Sequence, residues 1–221
     1  ADTHKYVAFG GARGGGKSWA IRLKSSILAL AHKGIRICIV RRTYAELTEN
    51  HINPFLKLLP REVYKYNKSE KVLTFVNGSV ICFRYCSGDE DLRFFQGVEY
   101  DIIFIDEATQ ILENHFKEIS ASVRGVNPFP KRVYLTCNPG GVGHAVQRHV
   151  HGYDGDLQHL QVGLLGGQAL HLQTGPAGRA GEGVILVGQA LEDLVAHAGD
   201  HGQQRQVQQE AGQERGNIAA H

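Results

Sequence analysis

The sequence predicts an α/β fold, a mainly parallel sheet flanked by helices with a β-hairpin inserted. Three observations carry this. A short β-rich run passes through a glycine-rich loop into a helical pattern between Lys5 and Ala31. An apolar run at Ile102–Ile105 ends in two acids, as a buried parallel strand with carboxylates at its C-terminal edge does. An Asn-Gly pair separates two strand-like runs at residues 72–85, the pattern of a tight hairpin.

In chain order, Lys5–Phe9 is the first strand. Gly10 to Ser18 follows, and from Gly11 it fits the spacing G-x-x-x-x-G-K-[ST]. Trp19–Ala31 is helical, with Ile21, Leu23, Ile27, Leu28 and Leu30 as its apolar positions. Strand, glycine loop and helix together form a phosphate-binding loop (P-loop). Phosphate oxygens must approach bare backbone, so glycines fill the loop, and successive N–H groups and the helix N-terminus face the anion. Gly11, Ala12, Arg13, Gly14, Gly15, Gly16, Lys17 and Ser18 are therefore expected to hold ATP. Lys17 would reach the β- and γ-phosphates, and the Ser18 hydroxyl would join a Mg²⁺ shell.

Arg36–Val40 reads as a second buried strand, and Arg41 and Arg42 after it as a solvated strand end. Ala45–Leu59 reads as a helix ended by Pro60, kinked or split at Asn53-Pro54. Val72–Val76 and Ser79–Tyr85 are the arms of the hairpin. In Ile102–Ala108, Asp106 fits the acid that holds Mg²⁺, directly or through water, and Glu107 the general base that polarises an attacking water. Ligands of open α/β sheets bind at that strand edge. Lys131–Thr136 is a further strand, running into Cys137-Asn138-Pro139-Gly140-Gly141; its Thr/Asn end is placed to sense a γ-phosphate. Cys137 has no nearby His or Asp in sequence to make it a nucleophile.

Composition excludes other classes. Apolar content of 42% and charge of 21% do not suit a disordered tail or a coiled coil, and no run approaches the ~18 apolar residues of a membrane span. The four cysteines form no CxxC pair, so free thiols are expected. The net charge of +2 hides a break. Residues 1–149 hold 21 Lys and Arg against 14 acids, a net +7 suited to a polyanion partner. Residues 150–221 hold 3 Arg against 8 acids, with 11 glutamines, 14 glycines and no Ser or Lys. Within this tail Gly183–Ala198 looks helical, Gln203–Gln213 is low-complexity, and the histidines have no metal-ligand spacing. The expected division is a P-loop ATPase domain over 1–145 and a Gly/Gln/His-rich tail over 146–221.

The front portion resembles the ATPase domain of phage large terminases. The resemblance rests on GGARGGGKS (Gly10–Ser18), VRRTYAEL (Val40–Leu47), LRFFQGVEYDIIFIDEA (Leu92–Ala108) and TCNPGG (Thr136–Gly141), within about residues 5–145. It implies a sheet of the additional-strand type, with the Thr136 strand between the Lys5 and Ile102 strands. It also implies that Arg13 stabilises phosphate charge beside Lys17 and Glu107, and that Thr136, Cys137 and Asn138 form a coupling segment, with Asn138 near the nucleotide. The activity implied is ATP hydrolysis driving double-stranded viral DNA into a procapsid, in the cytoplasm of the bacterial host. The implied partners are DNA, a small terminase subunit, the portal protein and further copies of the chain in a ring, with Arg84 or Arg93 as candidate arginines acting on a neighbour. Another P-loop motor, such as a helicase, or an ATP-binding fragment with little activity is the alternative.

Two departures from the family are visible. Only four residues precede Lys5, where the family places an adenine-binding segment. After Gly143 nothing resembles the family's nuclease domain, so no nuclease activity is expected. The abrupt composition change leads to the expectation that the family reading frame is lost between about Val146 and His151; the alternative is a divergent Gly/Gln-rich domain.

Overall fold

A computed structural model of the chain describes residues 5–10, 16–137, 162–163 and 169–170. Strand β1 (Tyr6–Gly10) precedes helix α1 (Lys17–Ala31). Strand β2 (Arg36–Arg41) precedes a helical segment made of α2 (Tyr44–Leu47), a π turn (Thr48–Ile52) and α3 (Asn53–Leu58). Then come β3 (Tyr64–Asn67), β4 (Val72–Phe75), β5 (Val80–Tyr85), β6 (Ile102–Ile105), α4 (Glu113–Ala121) and β7 (Arg132–Cys137). These seven strands form one sheet in the order β1-β7-β6-β2-β5-β4-β3. The first five are parallel, and β4 and β3 are antiparallel additions. Strand β7 thus lies between β1 and β6, the expected additional-strand order. A separate short antiparallel pair joins β8 (Val162–Gly163) to β9 (Ala169–Leu170). The helical reading of Gly183–Ala198 and the glutamine-rich segment lie outside the described residues.

Strand alternation builds two cores. Ile37 and Ile39 of β2, Ile102 and Phe104 of β6 and Tyr134 of β7 pack with α1, α3 and the hairpin. Cys38, Val40, Ile103, Ile105, Val133 and Leu135 point the other way, against Phe116 and Ile119 of α4. Both faces of the central strands are therefore buried, which is why those segments read as continuous apolar runs.

The hairpin is present, and its second strand also pairs with β2, so it continues the central sheet. Gly78 at φ +83° supplies the left-handed turn residue. Asn77 donates to the carbonyls of Ala29 and Leu30 at 2.7 and 3.1 Å, satisfying acceptors that the end of α1 leaves open. The turn thereby ties the hairpin to α1. Strand β3 adds a third arm with Tyr64 buried and Lys65 exposed.

The expected split near Asn53-Pro54 takes the form of the π turn. The Asn53 N–H bonds the Thr48 carbonyl, five residues back. Pro54 has no N–H to give the Asn50 carbonyl, and Arg22 Nη1 donates to it instead. A pure α-helix drifts about 40° with every four residues; the wider turn offsets part of that drift. Leu47, His51, Phe55 and Leu59 consequently all face inward, each at most 3% exposed.

At the N-terminal edge of the parallel strands, Asp101 is fully buried. It accepts from the Arg36 N–H, Asn127 Nδ2 and Lys131 Nζ at 2.8–2.9 Å, pinning the 124–131 loop beneath β2 and β6.

Candidate functional site

Five parallel strands place Gly10, Cys137, Ile105, Arg41 and Tyr85 at one sheet edge. The chain continues from that edge into the segments that sequence singled out. Gly16, at φ +74° and without a Cβ to strain, caps the start of α1. Lys17 and Ser18 open the helix, Lys17 only 6% exposed. Gly11, Ala12, Arg13, Gly14, Gly15 and Asn138 lie outside the described residues.

Asp106 is the hub. It follows β6 directly and is fully buried. Its Oδ2 accepts from Ser18 Oγ at 2.8 Å, Arg41 Nη1 at 2.9 Å and His51 Nε2 at 2.9 Å. Its Oδ1 accepts from Thr136 Oγ1 at 2.5 Å. Burial by itself would push this carboxyl up. The hydrogen bonds from His51 and Thr136 and the charge of Arg41 outweigh burial and hold it well below the usual carboxylate range. Burial dominates at His51 and lowers its pKa against the pull of Asp106, so the ring is neutral at pH 7 and donates its Nε2–H.

Glu107 follows, half-buried, with its backbone in the left-handed region at φ +57°. A non-glycine residue there is strained by about 1–3 kcal/mol, a feature that clusters at functional sites. Its N–H donates to Thr136 Oγ1 at 3.2 Å. The Thr136 hydroxyl, 4% exposed, therefore spends its one proton on Asp106 and its lone pair on Glu107. It couples β7 to both acids. Cys137 is buried, which pushes its thiol up; the Glu107 charge adds to this and Lys17 opposes it. A protonated thiol is no nucleophile.

The structure thus joins Lys17, Ser18, Asp106, Glu107 and Thr136 from three segments far apart in sequence. It corrects the reading of Arg41. This side chain is 8% exposed and paired with Asp106, because the acid at the end of the neighbouring strand captures it. Arg42 is exposed, as expected. His51 was not anticipated; a lone histidine within a helical stretch gives no signal that a π turn aims it at β6.

Arg84 and Arg93 sit on the β5 side of the sheet. Arg84 Nη1 donates to the Glu70 and Phe83 carbonyls at 2.8 and 2.9 Å. Both guanidinium groups stand over Phe94, at 6.0 and 5.2 Å from the ring centre.

With this geometry in place, comparison with known proteins is informative. The family described as phage terminase large subunit matches residues 3–161, running past the composition break. No curated protein matches the chain. Among solved structures, the large terminase of a thermophilic bacteriophage is similar at 17% identity and a TM-score of 0.54, covering 62% of this chain and 34% of that one. The same protein in complex with ADP is similar at 18% identity and a TM-score of 0.50, covering 61% and 33%. The large terminase of bacteriophage HK97 is similar at 12% identity and a TM-score of 0.54, covering 68% and 33%. At these identities the likeness is one of fold, and the chain spans about a third of the length of those proteins. Fold, strand order and a match over most of the chain agree: this chain belongs to the phage terminase large subunit family.

Proposed function

We propose that residues 1–145 form a Mg²⁺-dependent ATPase domain whose hydrolysis drives double-stranded viral DNA into a procapsid. The observation that carries this is the 2.8 Å bond between Ser18 and Asp106. It brings the start of the P-loop helix and the acid of β6 together beside Glu107, at the strand edge where α/β sheets bind ligands. The similar large terminase crystallised with ADP supports a nucleotide here.

The residues present fit magnesium. A hydroxyl and an ionised carboxylate in contact are hard oxygen donors of the kind Mg²⁺ takes alongside phosphate oxygens and water. Ser18 and Asp106 would hold it, and the ion would neutralise charge on the phosphates. Gly11 to Gly16 would present backbone N–H groups to the phosphates, with Arg13 and Lys17 adding positive charge. Glu107, fixed through its N–H by Thr136, would accept a proton from the attacking water. Positioning and electrostatics supply most of the acceleration in phosphoryl transfer. Asn138 would complete the nucleotide side of the coupling segment.

The partners proposed are DNA, a small terminase subunit, the portal protein and neighbouring copies in a ring, with Arg84 or Arg93 acting across the interface in the host cytoplasm. DNA would be held mainly through backbone phosphates, so binding should weaken steeply with salt. Residues 146–221 form a separate tail in this reading. The test is DNA-stimulated ATP hydrolysis by the full chain. Glu107→Gln should abolish turnover while ATP still binds; wild-type turnover in that variant would remove Glu107 as the base.

A further inference from the structure

We infer that His51 is a positioning residue for Asp106, and that it sets the affinity of the site for the divalent cation. The inference rests on the proposed nucleotide reading and adds to it a residue from the helical segment after β2.

Four donors surround Asp106, and they differ in what else they can do. Ser18 is the donor that would turn toward a metal, which leaves Oδ2 with Arg41 and His51 and Oδ1 with Thr136. Arg41 is a long side chain whose Nε has no hydrogen-bond partner among the described residues; a Glu46 carboxylate oxygen stands 4.0 Å from it. Thr136 holds the other oxygen. His51 is the short, rigid donor that fixes the direction of Oδ2. A carboxylate held this way presents its remaining lone pair in one orientation, and such outer hydrogen bonds orient metal-side ligands generally.

A plain core histidine would account for burial but not for the rest of the geometry. His51 is completely buried, and its Nδ1 has no partner among the described residues. A bare buried acceptor carries a desolvation cost that leucine or phenylalanine in the same space would not. What offsets that cost is the 2.9 Å bond from Nε2 to Asp106. The backbone is also specialised to deliver it. The ring is carried on the π turn, which turns His51 inward together with Leu47 and Phe55, and π turns recur at functional sites. The turn is held by Pro54, which releases the Asn50 carbonyl, and by Arg22 of the P-loop helix, which takes it up. Ser18 of α1, Arg41 of β2 and His51 of the π turn thus converge on one carboxylate oxygen.

The test titrates magnesium chloride into the full chain with a fluorescent ADP analogue, and reads the Mg²⁺ midpoint without turnover. His51→Leu should raise that midpoint about 10–100-fold, the usual effect of losing an outer-shell partner. Binding of the analogue in EDTA should stay unchanged. His51→Gln, whose Nε2 reaches nearly as far as the imidazole's, should recover the midpoint to within about threefold. Should the leucine variant fail to fold, His51→Asn, whose amide is too short, takes its place with the same expected shift. An unshifted midpoint in His51→Leu or His51→Asn would make His51 merely structural. So would a glutamine variant as impaired as leucine. A wild-type chain that gives no magnesium-dependent signal would overturn the nucleotide reading itself, a result distinct from those two.

Discussion

Replacing Thr136 by valine tests the coupling between β7 and the two acids, because valine keeps the shape and removes only the hydroxyl. That hydroxyl makes two bonds, a buried one of 2.5 Å to Asp106 and a part-buried one of 3.2 Å from the Glu107 N–H. Leaving a buried donor or acceptor unpaired costs about 1–3 kcal/mol; with the part-buried Glu107 N–H at the low end of that range, the two groups together cost about 2–4 kcal/mol. With no cavity formed, that is the whole expected loss. It corresponds to a fall in melting temperature of roughly 5–15 °C for a chain of this size. Catalysis should suffer separately. Glu107 would lose the bond that helps hold its strained φ of +57°, and Asp106 would lose a donor, so kcat should fall about 10–100-fold. KM for ATP should change little, because Thr136 acts through the acids. Thr136→Ser keeps the hydroxyl and should retain most activity. The assays are thermal unfolding and steady-state ATP hydrolysis across a range of ATP. A valine variant with wild-type kcat would refute the claim that β7 positions the catalytic pair.

Two further predictions concern stability. Burial would raise the Asp91 carboxyl, but bonds from Ser87 Oγ, Ser87 N–H and Gly88 N–H outweigh it and hold it below the usual value. Its stabilising effect is therefore fully present above about pH 4, the unfolded carboxylate range, and is lost as pH falls through the lower folded value. Asp91→Asn should be clearly less stable than wild type in urea at pH 7, and that gap should narrow at pH 2.5. At Gly125, an added Cβ would lie 2.8 Å from Asp101 Oδ1; Gly125→Ala should lower the urea midpoint by the equivalent of about 1–3 kcal/mol, the usual cost of overpacking.

Much of this site was legible because its chemistry is local in sequence. Gly16, Lys17 and Ser18 are adjacent, as are Asp106 and Glu107, and the two acids follow β6, whose continuous apolar run marks burial on both faces. Strand order needed the family resemblance, since periodicity says nothing about which parallel neighbour a strand takes. Arg41 was misread because its fate depends on an acid 65 residues away. His51 was invisible because its direction comes from a π turn set by Pro54 and Arg22, a tertiary effect. Strand β3 escaped because four residues, Tyr64–Asn67, are too few to show alternation.

The central claim is that Lys17, Ser18 and Asp106 form a magnesium-nucleotide site at the C-terminal edge of the parallel strands. Calorimetric titration of ADP with magnesium chloride into the full chain and into Lys17→Ala tests it most directly. The account predicts saturable binding to wild type and binding at least tenfold weaker in the variant. Equal affinity in the two, or no binding to wild type, would contradict it.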